Sequence, residues 1–587
     1  MSRPWHVLKR NARSETAHNL IFVDTETKPE TLPDGSERDW LWFGWVCVIA
    51  RTSQGTWGPR RWRRFTTVAQ FWKIVGAVVR PKTRWFMFCH NTSYDVPVLD
   101  ALGAPQRRGW KLEGAVIEAP PTIITLTKDH AKLVILDTLN WWRMALEILG
   151  ERLDLPKLQM PSPEAPKEDW DAYCRRDVEV LVVTVTRWLA FLKDNDLGGF
   201  APTLAAQCFR TFRHRFMSHE IVIDGDEASH KLSREAYHGG RVSCFALGHV
   251  RGPVTYLDIN QMYPSVMRLN DYPTRLLGVY PDQDTRRWPK LVRNYCIVAR
   301  CTVRASEPCY PKILDHRLDF PLGEFETTLA TPEIRLALSR GELLAMRDIA
   351  VYAKAPIFTD YVTFMSGRRI AAQRAGDEVE AWLFKHMGTN LYGKFGQTGM
   401  VYESSDQISD LRARKFEIVD YATRRVLKCR QLGGLLQVMA SEGEARDSFP
   451  AIAAHVTSYA RVLLWEFVGK AGRDHVLYTD TDSLFVDACG AHNLRNQVSP
   501  HAVGKLKVVK EFVWMHIHGP KDYTLPTHQV TKGIRKNAEL IAPNTYRQTQ
   551  WSSLKGLVEL GDLTAPRRKQ VVKVLARKLT AHKKPAA

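Results

Sequence analysis

Short apolar runs separated by helical patterns characterise the first third of the chain. The runs at 20–23, 85–88 and 133–136 have the length and composition of buried strands. The longer apolar stretch at 178–192 predicts a helix, and the polar, glycine-containing segment 194–199 predicts a linker. This alternation of strands and helices indicates an α/β domain over residues 1–195.

Beyond this domain, aromatic strand patterns mix with helices and acidic turns, which is typical of an α+β architecture. Residues 268–355 carry their own apolar and proline-rich pattern, and residues 398–448 predict a strand–loop–strand excursion. The segment from Arg567 onward is rich in lysine and arginine and predicts a basic helix. A chain of 587 residues is too long for one core, so we expect several domains.

The formal net charge of +20 favours a polyanionic partner such as nucleic acid, although a basic soluble protein without one remains the alternative. The ten cysteines form no C-x-x-C pair, so we expect reduced, mostly buried thiols in a cytoplasmic protein. The start of the chain lacks an apolar signal core, and the apolar stretch 41–50 is too short to span a bilayer. We therefore expect no membrane association.

A first set of carboxylates begins at the end of a predicted strand. In IFVDTETK, Asp24 and Glu26 are two residues apart, so both side chains leave the same face of the strand. Two carboxylates this close repel each other unless a cation lies between them, which makes the pair a seat for Mg²⁺ or Mn²⁺. Taken alone, the pair is more typical of an exposed acidic strand end.

Two further segments strengthen the metal interpretation. FCHNTSYD supplies Asp95 after another apolar strand, and YCRRDVEV supplies Tyr173 and Asp177, which share one face of a helix. Four converging carboxylates suit two metal ions about 3.5–4 Å apart, an arrangement that hydrolyses phosphodiesters. Tyr173 would then orient the attacking water.

A second set lies in the carboxyl-terminal half. VTYLDINQMYPS places Asp258 at a strand end, and HVLYTDTDSLFVD joins two apolar strands through Asp480 and Asp482. An ordinary surface turn fits poorly with apolar flanks on both sides. Between these segments, KHMGTNLYGKFG predicts a helix with Lys385, Thr389 and Tyr392 on one face, where the lysine could hold a triphosphate.

These segments resemble the motifs of family B DNA polymerases that carry a DnaQ-like 3′–5′ exonuclease. The first three are similar to the Exo I, Exo II and Exo III motifs, with the tyrosine typical of the DEDDy subtype. The others resemble motifs A, B and C, and YTDTDS is complete at 478–483. Two departures stand out: residues 260–262 in motif A read Asn-Gln-Met, and Thr389-Asn390 replaces the Asn-Ser of motif B.

The resemblance implies an RNase H-like exonuclease domain followed by a right-hand polymerase with palm, fingers, thumb and two insertions. The expected parts are 1–195 (exonuclease), 196–267 (first part of the palm), 268–355 (TPR1-like insertion), 356–397 (fingers), 398–448 (TPR2-like insertion), 449–510 (palm) and 511–587 (thumb and basic tail).

The resemblance also implies roles for individual residues, including two Mg²⁺ ions per active site, with Mn²⁺ as a substitute. The expected metal ligands are Asp258, Asp480 and Asp482 in one site and Asp24, Glu26, Asp95 and Asp177 in the other, with Tyr173 as a further catalytic residue. The expected nucleotide-binding residues are Tyr263 as a sugar gate, Arg369 or its neighbour Arg368, Lys385, Thr389, Asn390 and Tyr392.

Contacts with DNA are expected from the Exo II segment and from DTLNWW, AYHGGR, GPKDYTL and TKGIRK, which resemble further family motifs. These residues are His90, Asn91, Tyr94, Thr138, Leu139, Tyr237, Gly239, Gly240, Lys521, Tyr523 and Lys532. A base-stacking role is expected for Phe88 and a phosphate contact for Lys157, whereas a DNA contact and a core position are equally open for Trp142.

The two insertions resemble those of protein-primed polymerases of small bacteriophages. This implies a monomer that binds primer-template DNA, dNTPs and a terminal protein, displaces the non-template strand, and replicates a phage or linear mobile element. A polymerase that uses a nucleic-acid primer or no primer remains an alternative. A non-catalytic DNA-binding replication factor with decayed sites is a further alternative.

Overall fold

Two large sheets organise the computed structural model, which describes residues 4–118, 120–282, 284–422, 424–561, 563 and 565–575. Two four-stranded sheets and two short two-stranded ribbons complete the strands of that part of the chain. In the first 195 residues the elements are β1 (His6–Val7), β2 (Asn19–Thr31), β3 (Glu37–Ala50), β4 (Arg61–Phe65), α1 (Val68–Val78), β5 (Arg84–Cys89), α2 (Thr92–Val98), β6 (Lys111–Ile117), β7 (Thr122–Lys128), β8 (Ala131–Asp137), α3 (Leu146–Arg152) and α4 (Lys167–Asp194).

The first large sheet has β2, β5 and β8 at its centre. These three strands run parallel, while β3 flanks β2 and β7 flanks β8 in antiparallel register. The apolar runs predicted as strands form the buried parts of β2, β5 and β8, and α4 packs against β2 and β3. Because parallel strands end at the same edge, residues that follow β5 and β8 meet there.

The second large sheet is antiparallel and starts after a short helical connection. The elements up to the first predicted insertion are α5 (Leu204–Thr211), β9 (Val222–Ile223), α6 (Glu227–Ala236), β10 (Val242–Cys244), β11 (Gly248–Ile259) and α7 (Met262–Leu269). Strand β9 pairs with β1, which ties the start of the chain to this region.

The first predicted insertion contains a four-stranded antiparallel sheet of its own. Its elements are β12 (Tyr272–Asp282), α8 (Trp288–Asn294), β13 (Cys296–Ala305), β14 (Lys312–Leu314), β15 (Arg317–Asp319), β16 (Gly323–Ala330), α9 (Thr331–Ser339) and β17 (Leu343–Ala355). A helical segment follows, with α10 (Thr359–Arg374), α11 (Glu378–Asn390) and α12 (Tyr392–Phe395).

The second predicted insertion is a four-stranded sheet rather than a single strand–loop–strand excursion. Its strands are β18 (Thr398–Gln407), β19 (Arg414–Asp420), β20 (Arg425–Leu432) and β21 (Leu435–Glu444). The chain then returns to the second large sheet through α13 (Pro450–Ala471), β22 (Val476–Asp480), β23 (Ser483–Val486), α14 (Ala488–Leu494), β24 (Leu506–Gly519), β25 (Asp522–Leu525) and β26 (His528–Thr531).

The strand order of this second sheet is β10-β22-β23-β11-β24-β25-β26. Its register sets Asp258 on β11 opposite Ser483 on β23, and Ser483 is in turn opposite Asp480 on β22. The predicted start of the thumb at residue 511 lies inside β24, so the sheet continues beyond that boundary to β26.

The last described elements return to the first large sheet. They are β27 (Glu539–Ala542), β28 (Thr545–Trp551), α15 (Leu554–Leu560) and β29 (Arg567–Val574). The predicted basic helix from Arg567 is wrong over its described part, because the valines of RRKQVVKV pair as a strand with β28 and Arg568 pairs with Glu37 on β3. Residues 576–587, the rest of that prediction, lie outside the described residues.

Nine of the ten cysteines are buried and all ten are free thiols, as their spacing predicted. Among the helices of the described ranges, none combines the length and the apolar character that crossing a membrane requires.

Candidate active sites

Asp24 and Glu26 lie on β2 directly after a fully buried apolar run, and they occupy the same side of the strand. Cys174 on α4 faces them, and its Sγ lies 3.5 Å from Asp24 Oδ2. One potential ligand atom from each of these three residues falls within 4.8 Å of the others. The helix over the sheet therefore closes one side of the carboxylate pair.

Asp95 and Asp177 complete the set from two helices. The Thr25 hydroxyl, between the pair on β2, donates a hydrogen bond of 2.8 Å to Asp95 Oδ1. Lys157 forms an ion pair with Asp177 Oδ2, whereas Asp177 Oδ1 is buried without a hydrogen-bond partner in the described structure. An unpaired buried carboxylate oxygen is a site that a cation would satisfy.

The pKa values of these carboxyl groups show how strongly they interact. Burial, followed by the charges of Asp177 and Asp95, raises the pKa of Asp24 well above its usual range. Burial and the charges of Asp24 and Asp177 raise the pKa of Glu26 to about 9. Burial likewise raises the pKa of Asp95 to about 8 and that of Asp177 to about 6. Most of these carboxyl groups therefore hold protons when no cation is bound, and a divalent cation would release the protons and bind in their place.

Tyr173 lies one helical turn before Asp177 and is buried, with the Lys157 Nζ 4.5 Å from its ring centroid. Burial raises the pKa of Tyr173, so its hydroxyl stays protonated and able to donate a hydrogen bond. Lys157 therefore contacts both Asp177 and Tyr173, which places a cation inside the predicted catalytic set.

Two side chains of the Exo II segment, Asn91 and Tyr94, lie at the start of α2, where β5 ends. Asn91 is exposed and adopts a left-handed conformation with φ of 68° at the start of α2. The Tyr94 hydroxyl contacts that of Thr27, and its ring meets the edge of Trp551 at a centroid distance of 5.7 Å. Tyr94 thus lies beside the carboxylates, together with a tryptophan from β28, and Asn91 is exposed at the start of the same helix.

His90 and Thr138 are held inside the protein. His90 bonds the Thr138 hydroxyl at 2.8 Å through Nδ1 and the Met144 carbonyl at 3.1 Å through Nε2. Thr138 is fully buried, so its side chain has no surface for a direct DNA contact, whereas neighbouring Leu139 is half-buried. In this arrangement Thr138 supports the position of His90.

Two aromatic candidates belong to the core. Phe88 is fully buried and stacks on Phe22 at 5.5 Å, so the base-stacking role expected for it is wrong. Trp142 is also buried and meets Trp188 edge to face at a centroid distance of 5.9 Å. Of its two alternatives, the core position is therefore the one that the structure supports. For Phe88, the unbroken apolar run of β5 was the available signal, since a strand buried on both faces leaves every side chain from Trp85 to Cys89 in the core.

Asp137, which the sequence did not single out, organises this edge. Its carboxylate accepts hydrogen bonds from the backbone N–H groups of Asn91, Thr92 and Leu139 and from the Thr92 hydroxyl. It thereby fixes two predicted DNA-binding segments relative to each other. A carboxylate at the end of β8, directly before Thr138, was the available signal.

The second carboxylate set lies at the ends of β11, β22 and β23. Thr481 between the strands adopts φ of 63°, and the Ile259 N–H donates to the Asp482 carbonyl at 2.7 Å, which holds the turn against Asp258. Burial, then the charges of Asp258 and Asp480, raise the pKa of Asp482 to about 6. The three carboxylates therefore share one small region, as their strand–turn–strand pattern predicted.

Two lysines pair with these carboxylates. The Lys507 Nζ lies 3.1 Å from Asp258 Oδ1, and the Lys521 Nζ lies 3.4 Å from Asp480 Oδ1. Lys521 and Tyr523 were predicted at the primer end, and the ring of Tyr523 packs 5.4 Å from that of Tyr478 in motif C. Lys507 was missed, because it precedes a run of exposed residues on β24 that carries no recognisable motif.

The predicted nucleotide-binding residues gather around this set. The rings of Tyr263 and Tyr392 stack at 5.0 Å with an angle of 17°. Desolvation and the charges of Arg369 and Lys507 lower the pKa of Lys385. Arg368 instead donates to Asn195 Oδ1 at 2.7 Å, so Arg369 is the arginine that faces the carboxylates.

The departure in motif B has a visible structural effect. The Thr389 hydroxyl donates back to the carbonyl oxygens of Lys385 and His386 at 3.2 and 3.3 Å. The Asn390 amide donates to the His386 carbonyl at 2.8 Å. Both polar groups are thus engaged with their own helix in this structure.

The AYHGGR segment packs against the catalytic turn. A Cβ at Gly240 would lie 2.7 Å from Thr481 Cγ2, whereas a Cβ at Gly239 would meet no atom within 4 Å. The Tyr237 ring lies against Gly396, after α12. Lys532 is exposed in the turn that follows β26. Only Gly240 of these four is tightly packed against the turn that carries Asp480 and Asp482.

Comparison with known proteins gives the family. The model for DNA polymerase type B, organellar and viral, matches residues 159–461. Curated relatives include the "Probable DNA polymerase" of Neurospora intermedia (22% identical over 344 residues, 55% of this chain and 34% of that protein), the "Primer-independent DNA polymerase PolB" of Escherichia coli (24% over 413, 59% and 43%) and the "DNA-directed DNA polymerase" of Enterobacteria phage PRD1 (25% over 345, 57% and 56%). The chain therefore spans between a third and just over half of the length of these relatives.

Solved structures with the same architecture include Phi29 DNA polymerase complexed with primer-template DNA and incoming nucleotide substrates. That match has a TM-score of 0.67 and 14% identity, and it covers 96% of this chain and 100% of the other. The binary complex with primer-template DNA gives 0.66, with 95% and 100% coverage. The likeness confirms the predicted fold class, an RNase H-like exonuclease domain followed by palm, fingers and thumb. Since the family model covers just over half of the residues, the chain belongs to the type B DNA polymerases of organelles and viruses.

Proposed function

We propose that this chain is a template-directed DNA polymerase with an independent 3′–5′ proofreading exonuclease, each site using two divalent metal ions, Mg²⁺ or Mn²⁺. The observation that supports this most directly is the presence of two carboxylate sets on two different sheets. Family membership supports the polymerase part, and the close grouping of carboxyl side chains around Asp24 supports the nuclease part.

At the polymerase site, Asp258, Asp480 and Asp482 would hold the metal ions, which activate the primer 3′-OH and stabilise the leaving pyrophosphate. Arg369 and Lys385 neutralise phosphate charge, since both lie beside the carboxylates and are partly desolvated. The stacked rings of Tyr263 and Tyr392 provide a flat wall for the sugar and base of the incoming nucleotide. Tyr237, Lys521, Tyr523 and Lys532 would contact the primer-template.

At the exonuclease site, Asp24, Glu26, Asp95 and Asp177 would hold the metal ions, which would supply an activated water for attack on the phosphodiester. Tyr173 donates a hydrogen bond to orient that water, and Lys157 keeps Asp177 ionised. Asn91 and Leu139 are the exposed and half-buried side chains available to the single-stranded primer end.

The test is reciprocal inactivation. Asp480→Ala should abolish dNTP incorporation in primer extension and leave the degradation of single-stranded DNA intact. Asp24→Ala with Glu26→Ala should remove only the degradation. If either variant, well folded by circular dichroism, loses both activities, the two sites are not independent. If the unmodified protein extends no primer with Mg²⁺, the non-catalytic DNA-binding alternative replaces the proposal.

We further propose that synthesis is protein-primed and strand-displacing in a phage or linear mobile element, with a monomer acting in the host cytoplasm. The two insertions, each with its own four-stranded sheet, support this because insertions at these two places in the sequence resemble those of the protein-primed subgroup. Incubation with a labelled dNTP and the candidate terminal protein should give a covalent protein–nucleotide adduct. Efficient extension of oligonucleotides without any adduct would refute protein priming.

Primer-independent synthesis is the second candidate. Its specific support is the similarity to the Escherichia coli relative whose name describes a primer-independent enzyme. It predicts synthesis on circular single-stranded DNA with neither oligonucleotide nor terminal protein. Product in that reaction, with no adduct in the previous one, would favour this candidate over protein priming.

A further inference from the structure

Lys507 forms an ion pair with Asp258, one of the carboxylates proposed to bind metal ions at the polymerase site. It lies directly opposite Asp258 in the antiparallel pair of β24 and β11, so both side chains leave the same face of the sheet. The Nζ–Oδ1 distance is 3.1 Å, and the side chains are 39% and 24% exposed. This ion pair uses an oxygen that a metal ion would also need.

Positively charged side chains outnumber the three carboxylates of this site, because Lys385 and Arg369 lie there in addition to the two lysines that form ion pairs. Lys385 and Arg369 form no ion pair in the described residues, and desolvation, then the positive charges of Arg369 and Lys507, lower the pKa of Lys385. Lys521 adds a fourth cation through its pair with Asp480. A metal ion that binds Asp258 neutralises the carboxylate, which weakens its hold on Lys507 and raises the local positive charge further, so the site then favours a polyanion.

The triphosphate of the incoming nucleotide is the anion that would share the metal ions held by Asp258, so its phosphate oxygens are the partner nearest to the released ammonium. A compact ammonium on a flexible stem can move between two nearby anions without rearranging the backbone. A metal ion that binds without a nucleotide competes with Lys507 for Asp258 and offers the lysine no other anion. A metal ion that arrives with a nucleotide supplies the replacement, so the two ligands should bind cooperatively.

We propose that Lys507 is a phosphate-binding residue of the polymerase site, held by Asp258 until the metal–nucleotide complex binds. This rests on the proposed polymerase function. It adds a third cation to Arg369 and Lys385, and it couples nucleotide binding to metal binding at Asp258.

The test measures binding without turnover in the full chain. Asp24→Asn with Glu26→Gln serves as the parent, which removes metal binding at the nuclease site. Mn²⁺ binding without nucleotide is followed by electron paramagnetic resonance. Binding of the complementary dNTP is followed with Mg²⁺ on a primer that ends in a dideoxynucleotide. Lys507→Met, Lys507→Arg and the control Lys505→Met are made in this parent, since Lys505 is exposed and its side chain bonds Gln497 rather than a carboxylate of the site.

Lys507→Met should bind Mn²⁺ about threefold more tightly, the scale of a half-exposed ion pair. It should bind the dNTP about tenfold more weakly, the scale of a lost charge-assisted hydrogen bond. Lys507→Arg should restore most of the dNTP affinity, and Lys505→Met should match the parent in both measurements. Opposite changes distinguish this role from a structural defect, which would weaken both kinds of binding.

The inference is overturned if Lys507→Met leaves dNTP affinity unchanged, whatever happens to Mn²⁺, or if both affinities fall together. A parent that forms no complex with primer-template and dNTP refutes the proposed polymerase function itself. The two failures are therefore separate outcomes of the same experiment.

Discussion

The two carboxylate sets, proposed to bind metal ions at a nuclease site and at a polymerase site, differ in burial and in the cations that pair with them. In the proposed nuclease set, Asp95 and Asp177 are buried, with 4% of the Asp177 side chain exposed, Asp24 and Glu26 are half-buried, and Lys157 provides the ion pair. In the polymerase set, the side chains of Asp258 and Asp480 are 24% and 27% exposed, and each pairs with its own lysine. The proposed nuclease site is thus the more buried one, and its carboxyl groups raise one another's pKa. The proposed polymerase site is the more open one, and lysines partly neutralise its carboxylates.

This difference corresponds to the ligands that each site would receive. A single-stranded end brings one negative charge per phosphate to the proposed nuclease site, so the metal ions would have to compensate both that charge and the carboxylates. An incoming nucleotide brings a triphosphate to the polymerase site, where surplus cations are useful. Each of the following predictions tests one side of this contrast.

The largest effect is expected from Gly240→Ala. The new Cβ would lie 2.7 Å from Thr481 Cγ2 and displace the turn that carries Asp480 and Asp482. Misplacing catalytic groups by about 1 Å can cost about 10²-fold in rate, so polymerisation should fall by at least that factor. Primer extension and degradation of single-stranded DNA are measured in parallel, and degradation should be unchanged.

Gly239→Ala is the matched control, because its Cβ would meet no protein atom within 4 Å. It should leave the turn intact, so the rate of incorporation at saturating primer-template should stay close to that of the unmodified protein even if DNA affinity changes. Equal losses in the two variants would show that the effect is not caused by packing against Thr481.

A smaller but selective effect is expected from Lys157→Met. Removing the cation leaves Asp177 as an uncompensated buried carboxylate, so nuclease activity should fall roughly 10- to 100-fold, the scale of a lost charge-assisted bond. Polymerisation should be unaffected. Lys132→Met is the control, since its ion pair with Glu113 is exposed; a comparable loss there would argue against a specific role of Lys157.

Tyr263→Ala should affect only the open site. Loss of the ring that stacks on Tyr392 removes the wall against a 2′-OH, so discrimination against ribonucleotides should fall roughly tenfold. The measurement is the ratio of kcat/KM for a dNTP and its rNTP, with Tyr263→Phe as the control. Unchanged discrimination in Tyr263→Ala would remove the sugar-gate role.

The smallest effect concerns stability without metal. The pKa of Glu26 is raised from 4.5 to about 9, so between these pH values the folded state binds more protons than the unfolded state and loses stability as pH rises. Glu26→Gln removes this loss, and its melting temperature in EDTA should exceed that of the unmodified protein by about 2–4 °C near pH 8.

Asp482→Asn provides the contrast from the open site. The pKa of Asp482 is raised only to about 6, so the advantage of Asp482→Asn should stop growing above that pH, whereas the advantage of Glu26→Gln should grow until about pH 9. Thermal unfolding from about pH 5 to 9 checks both. Parallel curves for the two variants would contradict the distinction between a buried and an open site.

Much of the site was predictable because the ligands follow short-range rules. Residues two apart on a strand share a face, and residues four apart on a helix share a side, so Asp24 with Glu26 and Tyr173 with Asp177 could be paired from spacing alone. Resemblance to known motifs then assigned one carboxylate set to an exonuclease site and the other to a polymerase site. The convergence of strand ends at one sheet edge is also a general rule.

The missed features depend on register and on small rotations. Lys507 meets Asp258 only through the pairing of β24 with β11, two strands far apart in sequence. Arg368 and Arg369 differ by a rotation of about 100° around α10, which spacing alone could not assign. The strand character of Arg567–Val574 depends on pairing with β28, so its charge pattern predicted the wrong element.

The pairing of β29 with β3 bears on how the molecule assembles during translation. Glu37 and Arg38 leave the ribosome early, but their partners Arg568 and Arg567 come from nearly the last part of the described chain. Such a non-local contact forms late. Until then, that stretch of β3 is an open strand edge, where charged residues such as Glu37 and Arg38 discourage pairing with other nascent chains.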